Sequence, residues 1–224
     1  LINASVDEAQ NQKVDLLSGI AQDMELEMGN TEKLLERMMP QEVIQQIKSG
    51  QSTEAQEYES VTIFFSDIAN FTVLSGKTST KDMLSTLNKL WIEYDAIAKK
   101  WGVYKVETIG DAYLGVTGCP ERSKDHAFRA VNFSIDILQM IRTFKTAMGD
   151  SIQIRIGLNS GPITAGVLGE LNPHWCVVGD TVNTASRMES TSKAMMIHIS
   201  ESTYNLIKDT NIDCSGPDVM QIKV

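Results

Sequence analysis

The stretch GVYKVETIGDAYLGVTG (residues 102–118) reads as strand, turn, strand: β-branched and aromatic residues run up to an Ile109-Gly110 pair and resume beyond it. Two carboxylates, Glu107 and Asp111, stand four residues apart around that pair. Side by side they would suit acid/base work or two ligands for one metal. A turn between them would aim them at different tasks.

Outward from this hairpin the texture alternates. VTIFFSD (61–67) is a short buried strand, and residues 79–101 carry apolar positions at helical spacing up to Gly102. After the hairpin, residues 123–148 read as a helix opened by Ser123 and closed at Gly149. SIQIRIGLNSGPITAGVLG (151–169) alternates as two strands about a Ser160-Gly161-Pro162 turn. HWCVVGD (174–180) is a strand, residues 181–192 a helix that Asp180 caps, 195–200 a strand and 201–209 a helix. Strand, helix, strand, strand, helix, strand is the split βαβ order of ferredoxin-like folds. The expectation is an α+β domain with a mixed, mainly antiparallel sheet and helices mainly on one face.

Residues 1–48 hold no aromatic side chain. Val14, Leu17, Ala21, Met24, Met28, Thr31, Leu35 and Met38 follow at steps of three and four, a heptad stripe. A coiled coil is the preferred reading, and a single amphipathic helix on the domain the plainer one. Pro40 breaks the helix, a new one starts at Gln41, and Gly50 stops it. The division is 1–48 helical segment, 49–58 polar linker and 59–224 globular domain.

Composition narrows the function classes. A formal charge of -9 over 224 residues argues against a polymeric nucleic acid or an anionic lipid surface as partner. An anionic ligand therefore calls for metal. Cys119, Cys176 and Cys214 form no CxxC pair, which fits a reducing compartment. No apolar run is long enough to span a bilayer, so no direct membrane contact is expected, and membrane anchoring of a longer parent stays open. His126, His174 and His198 lack metal-ligand spacing.

Asp67 ends the first strand and Asp111 follows the hairpin turn, and that sheet order makes the two neighbours at one sheet end. Two hard carboxylates suit Mg²⁺, and a pair of ions could hold attacking and leaving oxygens in line. Asn183 and Arg187, at i and i+4, share a helix face and could orient a ribose and neutralise charge on phosphorus. Each feature alone has a plain structural reading: a capping aspartate, a surface asparagine, a salt-bridged arginine.

Together the motifs do more. FFSDIANFT, KVETIGDAYL, IRIGLNSGPITAGVLG and GDTVNTASRME occur in that order, and over residues 58–223 the chain resembles the class III nucleotide cyclases. The resemblance implies Asp67 and Asp111 as metal ligands with the Ile68 carbonyl, two Mg²⁺ or Mn²⁺ ions per site, Arg155 on the triphosphate, and Asn183 and Arg187 on ribose and transition state. It implies attack of the nucleotide's 3′-hydroxyl on its own α-phosphate. Adenylyl members generally read the base with Lys and Asp, guanylyl members with Glu and Cys; here the positions hold Glu107 and Cys176, which implies GTP. A carboxylate accepts from guanine N1-H and N2-H₂, and a small thiol accommodates O6.

The family's sites form between two chains. The resemblance implies a homodimer in which Asp67, Asp111 and Arg155 come from one chain and Glu107, Cys176, Asn183 and Arg187 from the other. Within the family the chain is most similar to rhodopsin-fused guanylyl cyclases, which implies a cytoplasmic domain under an upstream sensor. Family members continue past MQIKV (220–224) to a phosphate-facing lysine, so the catalytic domain, 59–224, is expected to be C-terminally truncated. Two alternatives accompany the cyclase reading: a non-catalytic dimerisation and nucleotide-sensing module, and adenylyl cyclase activity with ATP.

Overall fold

The computed structural model describes residues 2–36, 38–51 and 53–216, and the tail motif 220–224 lies outside them. The chain forms two compact units, Leu1–Thr53 with Gly169–Trp175, and Glu54–Leu168 with Cys176–Val224. In the first, helix α1 (Ile2–Leu35) is followed by α2 (Gln41–Lys48), with Pro40 at its N-cap. Proline fits there because its missing N–H has no intrahelical partner to lose. Leu17, Met24 and Met28, all on the expected stripe, are exposed. Lys48 pairs with Glu32, tying the two helices together.

The second unit follows the expected order. Strand β1 (Gln56–Ile68) leads through α3 (Phe71–Lys77) and α4 (Thr80–Trp101) to the hairpin β2 (Tyr104–Ile109) and β3 (Ala112–Thr117). Helix α5 (His126–Thr143) then leads to β4 (Ile154–Leu168), β5 (His174–Val178, of which Cys176–Val178 belong to this unit), α6 (Asp180–Ser190), β6 (Ile197–Ile199) and α7 (Glu201–Ile207). The sheet order is β2-β3-β1-β4-β5, with β6 on β4. β1 pairs antiparallel with both β3 and β4, and only β4–β6 is parallel among the registers resolved. This is the ferredoxin-like order, with one mixed extension.

One sheet face makes the core. α4 turns Met83, Thr86, Leu90, Tyr94 and Ala98 inward at steps of three and four, and α5 adds Ala130, Val131, Phe133 and Ile137. Phe64 of β1 meets Phe133 edge-on at 4.8 Å, and Tyr94 meets Tyr113 at 5.0 Å. Each such ring, fully buried, contributes about 1.5–3 kcal/mol. Trp91 packs on Tyr94 and Tyr113. His126 is buried as well, bonded through its two ring nitrogens to Ser60 and Thr62.

Several local expectations are corrected. β1 begins at Gln56, inside the stretch expected as linker, because Gln56, Glu57 and Tyr58 pair with β4 despite their polarity. Residues 151–169 are not a hairpin: β4 runs unbroken through Gly161 and Pro162. Proline cannot donate to the ladder, and the register shifts between Tyr58 and Val61 opposite it, a bulge that absorbs the missing bond without ending the strand. Helix α5 starts at His126 behind Asp125, whose carboxylate takes the Arg129 guanidinium, and ends at Thr143, well before Gly149. Gly179 caps α6, with Asp180 as its first residue. The hairpin turn is Gly110-Asp111, since Ile109 pairs with Ala112; Gly110 takes the left-handed φ of +64° and Asp111 sits in the turn itself.

Candidate active site

The register explains how Asp67 and Asp111 meet. Ser66 on β1 lies opposite Tyr113 on β3, so the next residue, Asp67, comes beside the turn that holds Asp111. On its other side Asp67 lies opposite Arg155 of β4, and the Arg155 Nη2 donates to Asp67 Oδ2 at 3.1 Å. Burial and the neighbouring Asp67 carboxylate push Asp111 up to about 7, while the backbone N–H groups of Asp111 and Ile68 pull the other way. Asp67 Oδ1 is buried and accepts no hydrogen bond among the described residues.

An orphaned buried carboxylate oxygen beside a second carboxylate with a raised affinity for a proton is a place where positive charge is missing. Both donors are hard oxygens, as Mg²⁺ and Mn²⁺ prefer, and the Ile68 backbone lies against the same pair. The residues therefore fit a divalent ion. Among the described residues no group of three or more His, Cys, Asp or Glu is placed to hold a metal; Mg²⁺ typically takes one or two carboxylates and fills the rest of its shell with water and phosphate oxygens.

Glu107 belongs elsewhere. The β2–β3 register shifts between Lys105 and Glu107, which sets Glu107 opposite Leu114, itself opposite Phe65 of β1. Directly paired residues share a sheet face, and Phe65 and Asp67 are two apart on one strand. The bulge at Val106 thus turns Glu107 onto the face of Asp67 and Arg155, away from α4 and α5. Its electrostatic neighbour is Cys176 of β5: burial raises the thiol, and the Glu107 charge adds to the rise. The thiol also points to the Gly166 carbonyl, at 3.6 Å.

α6 lies on that same face because β4 is bare there. A Cβ at Gly157 would come within 2.6 Å of the Glu189 Cα, and one at Gly161 within 2.7 Å of Thr181 Oγ1. Thr181 Oγ1 donates to the Pro162 carbonyl at 2.6 Å, and Asn159 Nδ2 to the Thr181 carbonyl at 3.0 Å. The helix so seated presents Asn183, exposed, and Arg187, half-buried. Neither side chain hydrogen-bonds within the chain among the described residues. Arg155 is the contrast: its Nε donates to Glu189 Oε1 at 2.8 Å, so the guanidinium expected on a triphosphate is held by two carboxylates.

Sequence reasoning missed Glu189. It is 7 % exposed, a burial rare for a glutamate without a partner, and the signal for it was Gly157 in IRIGL, a glycine inside a strand that marks a close backbone approach.

The Adenylate and Guanylate cyclase catalytic domain profile matches residues 53–224. The chain belongs to this family. The guanylate cyclase domain of RhGC from Catenaria anguillulae, solved in complex with GTP, is 79% identical with a TM-score of 0.68 over 69% of this chain and 85% of that one. The catalytic core of a rhodopsin-guanylyl cyclase with converted specificity, in complex with ATPαS, is 73% identical with a TM-score of 0.74 over 77% of this chain and 93% of that one. Retinal guanylyl cyclase 2 of Bos taurus is 44% identical over 197 residues, which take in 87% of this chain and 18% of that protein. The chain thus spans less than a fifth of that relative's length. No helix of this cyclase domain is long and apolar enough to cross a membrane among the described residues.

Proposed function

We propose that this domain converts GTP to 3′,5′-cyclic GMP and pyrophosphate at sites completed by two copies of the chain. The observation that carries the reading is the sheet end that brings Asp67 and Asp111 together, with Glu107 turned onto the same sheet face and its charge felt at the Cys176 thiol. Glu107 accepts from guanine N1-H and N2-H₂, and Cys176 borders O6. Adenine, with an acceptor at N1, would leave the Glu107 carboxylate facing another acceptor.

Asp67 and Asp111, with the Ile68 carbonyl, hold Mg²⁺ or Mn²⁺, two ions per site in this reading. When bound, the ions supply charge neutralisation on the phosphates and activation of the 3′-hydroxyl. Asn183 orients the ribose. Arg187 neutralises charge on the α-phosphate as the 3′-oxygen bonds to phosphorus and the bond to the pyrophosphate oxygen breaks. Arg155 meets the triphosphate once its hold on Asp67 is released.

In this reading the labour is divided between two copies: Asp67, Asp111 and Arg155 come from one chain, and Glu107, Cys176, Asn183 and Arg187 from the other. The exposed stripe Leu17, Met24 and Met28 would pair with its copy in a coiled coil, which fits a domain that works under an upstream sensor, such as the rhodopsin of the rhodopsin-guanylyl cyclase reported above, on the cytoplasmic side of a longer parent.

The test is side-by-side production of cyclic GMP and cyclic AMP from Mn²⁺-GTP and Mn²⁺-ATP. Cyclic GMP should dominate and disappear in Asp67→Ala. Dominant cyclic AMP, or a fully active Asp67→Ala, would sink the reading.

A further inference from the structure

The metal end of the site already holds a cation. Arg155 bridges two acids, giving Nη2 to Asp67 at 3.1 Å and Nε to Glu189 at 2.8 Å. Its guanidinium fork lets it hold both at once, which a lysine ammonium could not do with the same geometry. Glu189 is itself held: its backbone sits against Gly157, two residues along β4 from Arg155 on the same strand face, and its side chain is buried with its carboxylate on Arg155. Asp67 is held at Oδ2 by Arg155, while its Oδ1 accepts from no backbone or cationic donor among the described residues and the neighbouring group is the Asp111 carboxyl.

We infer that Glu189 is a positioning residue that anchors Arg155 while Asp67 exchanges it for a divalent ion. In the metal-free protein Arg155 neutralises Asp67. When metal takes Asp67, Arg155 keeps its bond to Glu189, and its freed nitrogens turn to the incoming anionic nucleotide. Arg155 and metal compete for one carboxylate, and Glu189 tilts the competition toward metal by giving Arg155 a second home. This rests on the proposed function for the identity of the site, while the competition itself concerns metal alone.

Mn²⁺ binding to the full chain, measured without nucleotide by electron paramagnetic resonance of the free ion, tests it. Arg155→Gln should tighten Mn²⁺ about fivefold, the modest effect expected of a partly exposed pair. Glu189→Gln should weaken Mn²⁺ severalfold, because Arg155 then rests on Asp67 alone. In the double variant the Glu189→Gln effect should vanish, since Glu189 acts through Arg155. If Glu189→Gln weakens Mn²⁺ equally in both backgrounds, its charge acts directly on the ion and the inference falls. If Glu189→Gln unfolds the domain, as thermal melting would reveal, Arg155→Gln still decides: unchanged or weaker Mn²⁺ binding overturns the competition. A protein that binds Mn²⁺ as described but turns over no GTP would overturn the proposed function and leave this inference standing.

Discussion

Gly157 and Glu189 touch backbone to backbone: the helix that carries Asn183 and Arg187 rests on β4 where a side chain is missing. Gly157→Ala should therefore cost about 1–3 kcal/mol, because the added Cβ meets main chain that cannot rotate away. Gly76→Ala is the control. Nothing lies within 4 Å of that position, in α3, so the change should be neutral or stabilise by about 0.5–1 kcal/mol. Denaturant unfolding of both variants checks the contrast, and equal effects would contradict the seating of α6.

Asp111 makes metal binding pH-dependent. Its carboxyl is raised to about 7 by burial and by Asp67, so the fold favours the protonated form. A carboxyl raised in the folded state costs stability as it ionises: the metal-free protein should lose stability as pH rises from about 4 to about 7, then level off. Metal needs the charged form and displaces the proton. Mn²⁺ affinity should accordingly rise about tenfold from pH 6 to pH 8. Asp111→Asn should flatten the stability profile over that range. A pH-independent Mn²⁺ affinity would refute the assignment.

The two side chains proposed to read the base stand at opposite ends of the sheet order, Glu107 on β2 and Cys176 on β5. Glu107→Lys with Cys176→Asp replaces an acceptor by a donor at one position and supplies an acceptor for adenine N6-H₂ at the other. The double variant should prefer ATP over GTP by at least about tenfold, because the wrong base now leaves buried polar groups unpaired. Relative rates of cyclic AMP and cyclic GMP formation measure it. Undiminished GTP selectivity would remove both residues from the base pocket.

Local signals carried most of the fold. The hairpin, the two long helices and the sheet order follow from periodicity and from glycine positions, which report on neighbours a few residues away. What failed was punctuation. Ser160-Gly161-Pro162 has turn composition, yet the distant bulge near Tyr58 lets β4 pass through it, and no local pattern reports a bulge on another strand. The Ile-Gly pair was one residue off, which matters because it puts Asp111 in the turn. That Asp67 and Asp111 meet at one sheet end was legible from the strand order, and Asn183 and Arg187 were singled out because their residue types and spacing suit the chemistry proposed. The Arg155–Glu189 pair was not, since it spans 34 residues of sequence and depends on how close α6 comes to β4.

Arg187 offers the sharpest test of the shared site. Its guanidinium makes no hydrogen bond within the chain among the described residues, so Arg187→Ala should leave the melting temperature unchanged while kcat falls about 10²–10³-fold, the loss typical of a charge-stabilising donor. Arg187→Lys should recover little of this, because a point charge cannot reproduce the fork. Asp67→Ala should be equally inactive for a different reason. In a twofold dimer the two defects fall in the same site when one chain of each kind combines, which leaves the other site whole. An equal mixture of the two inactive proteins, allowed to exchange subunits, would hold about half mixed dimers with one working site each, and so regain about a quarter of the wild-type rate. Production of cyclic GMP by the mixture, set against each protein alone, reads this directly. A mixture as silent as its components would mean that Asp67 and Arg187 serve one chain's site, and that a second copy is not what completes it.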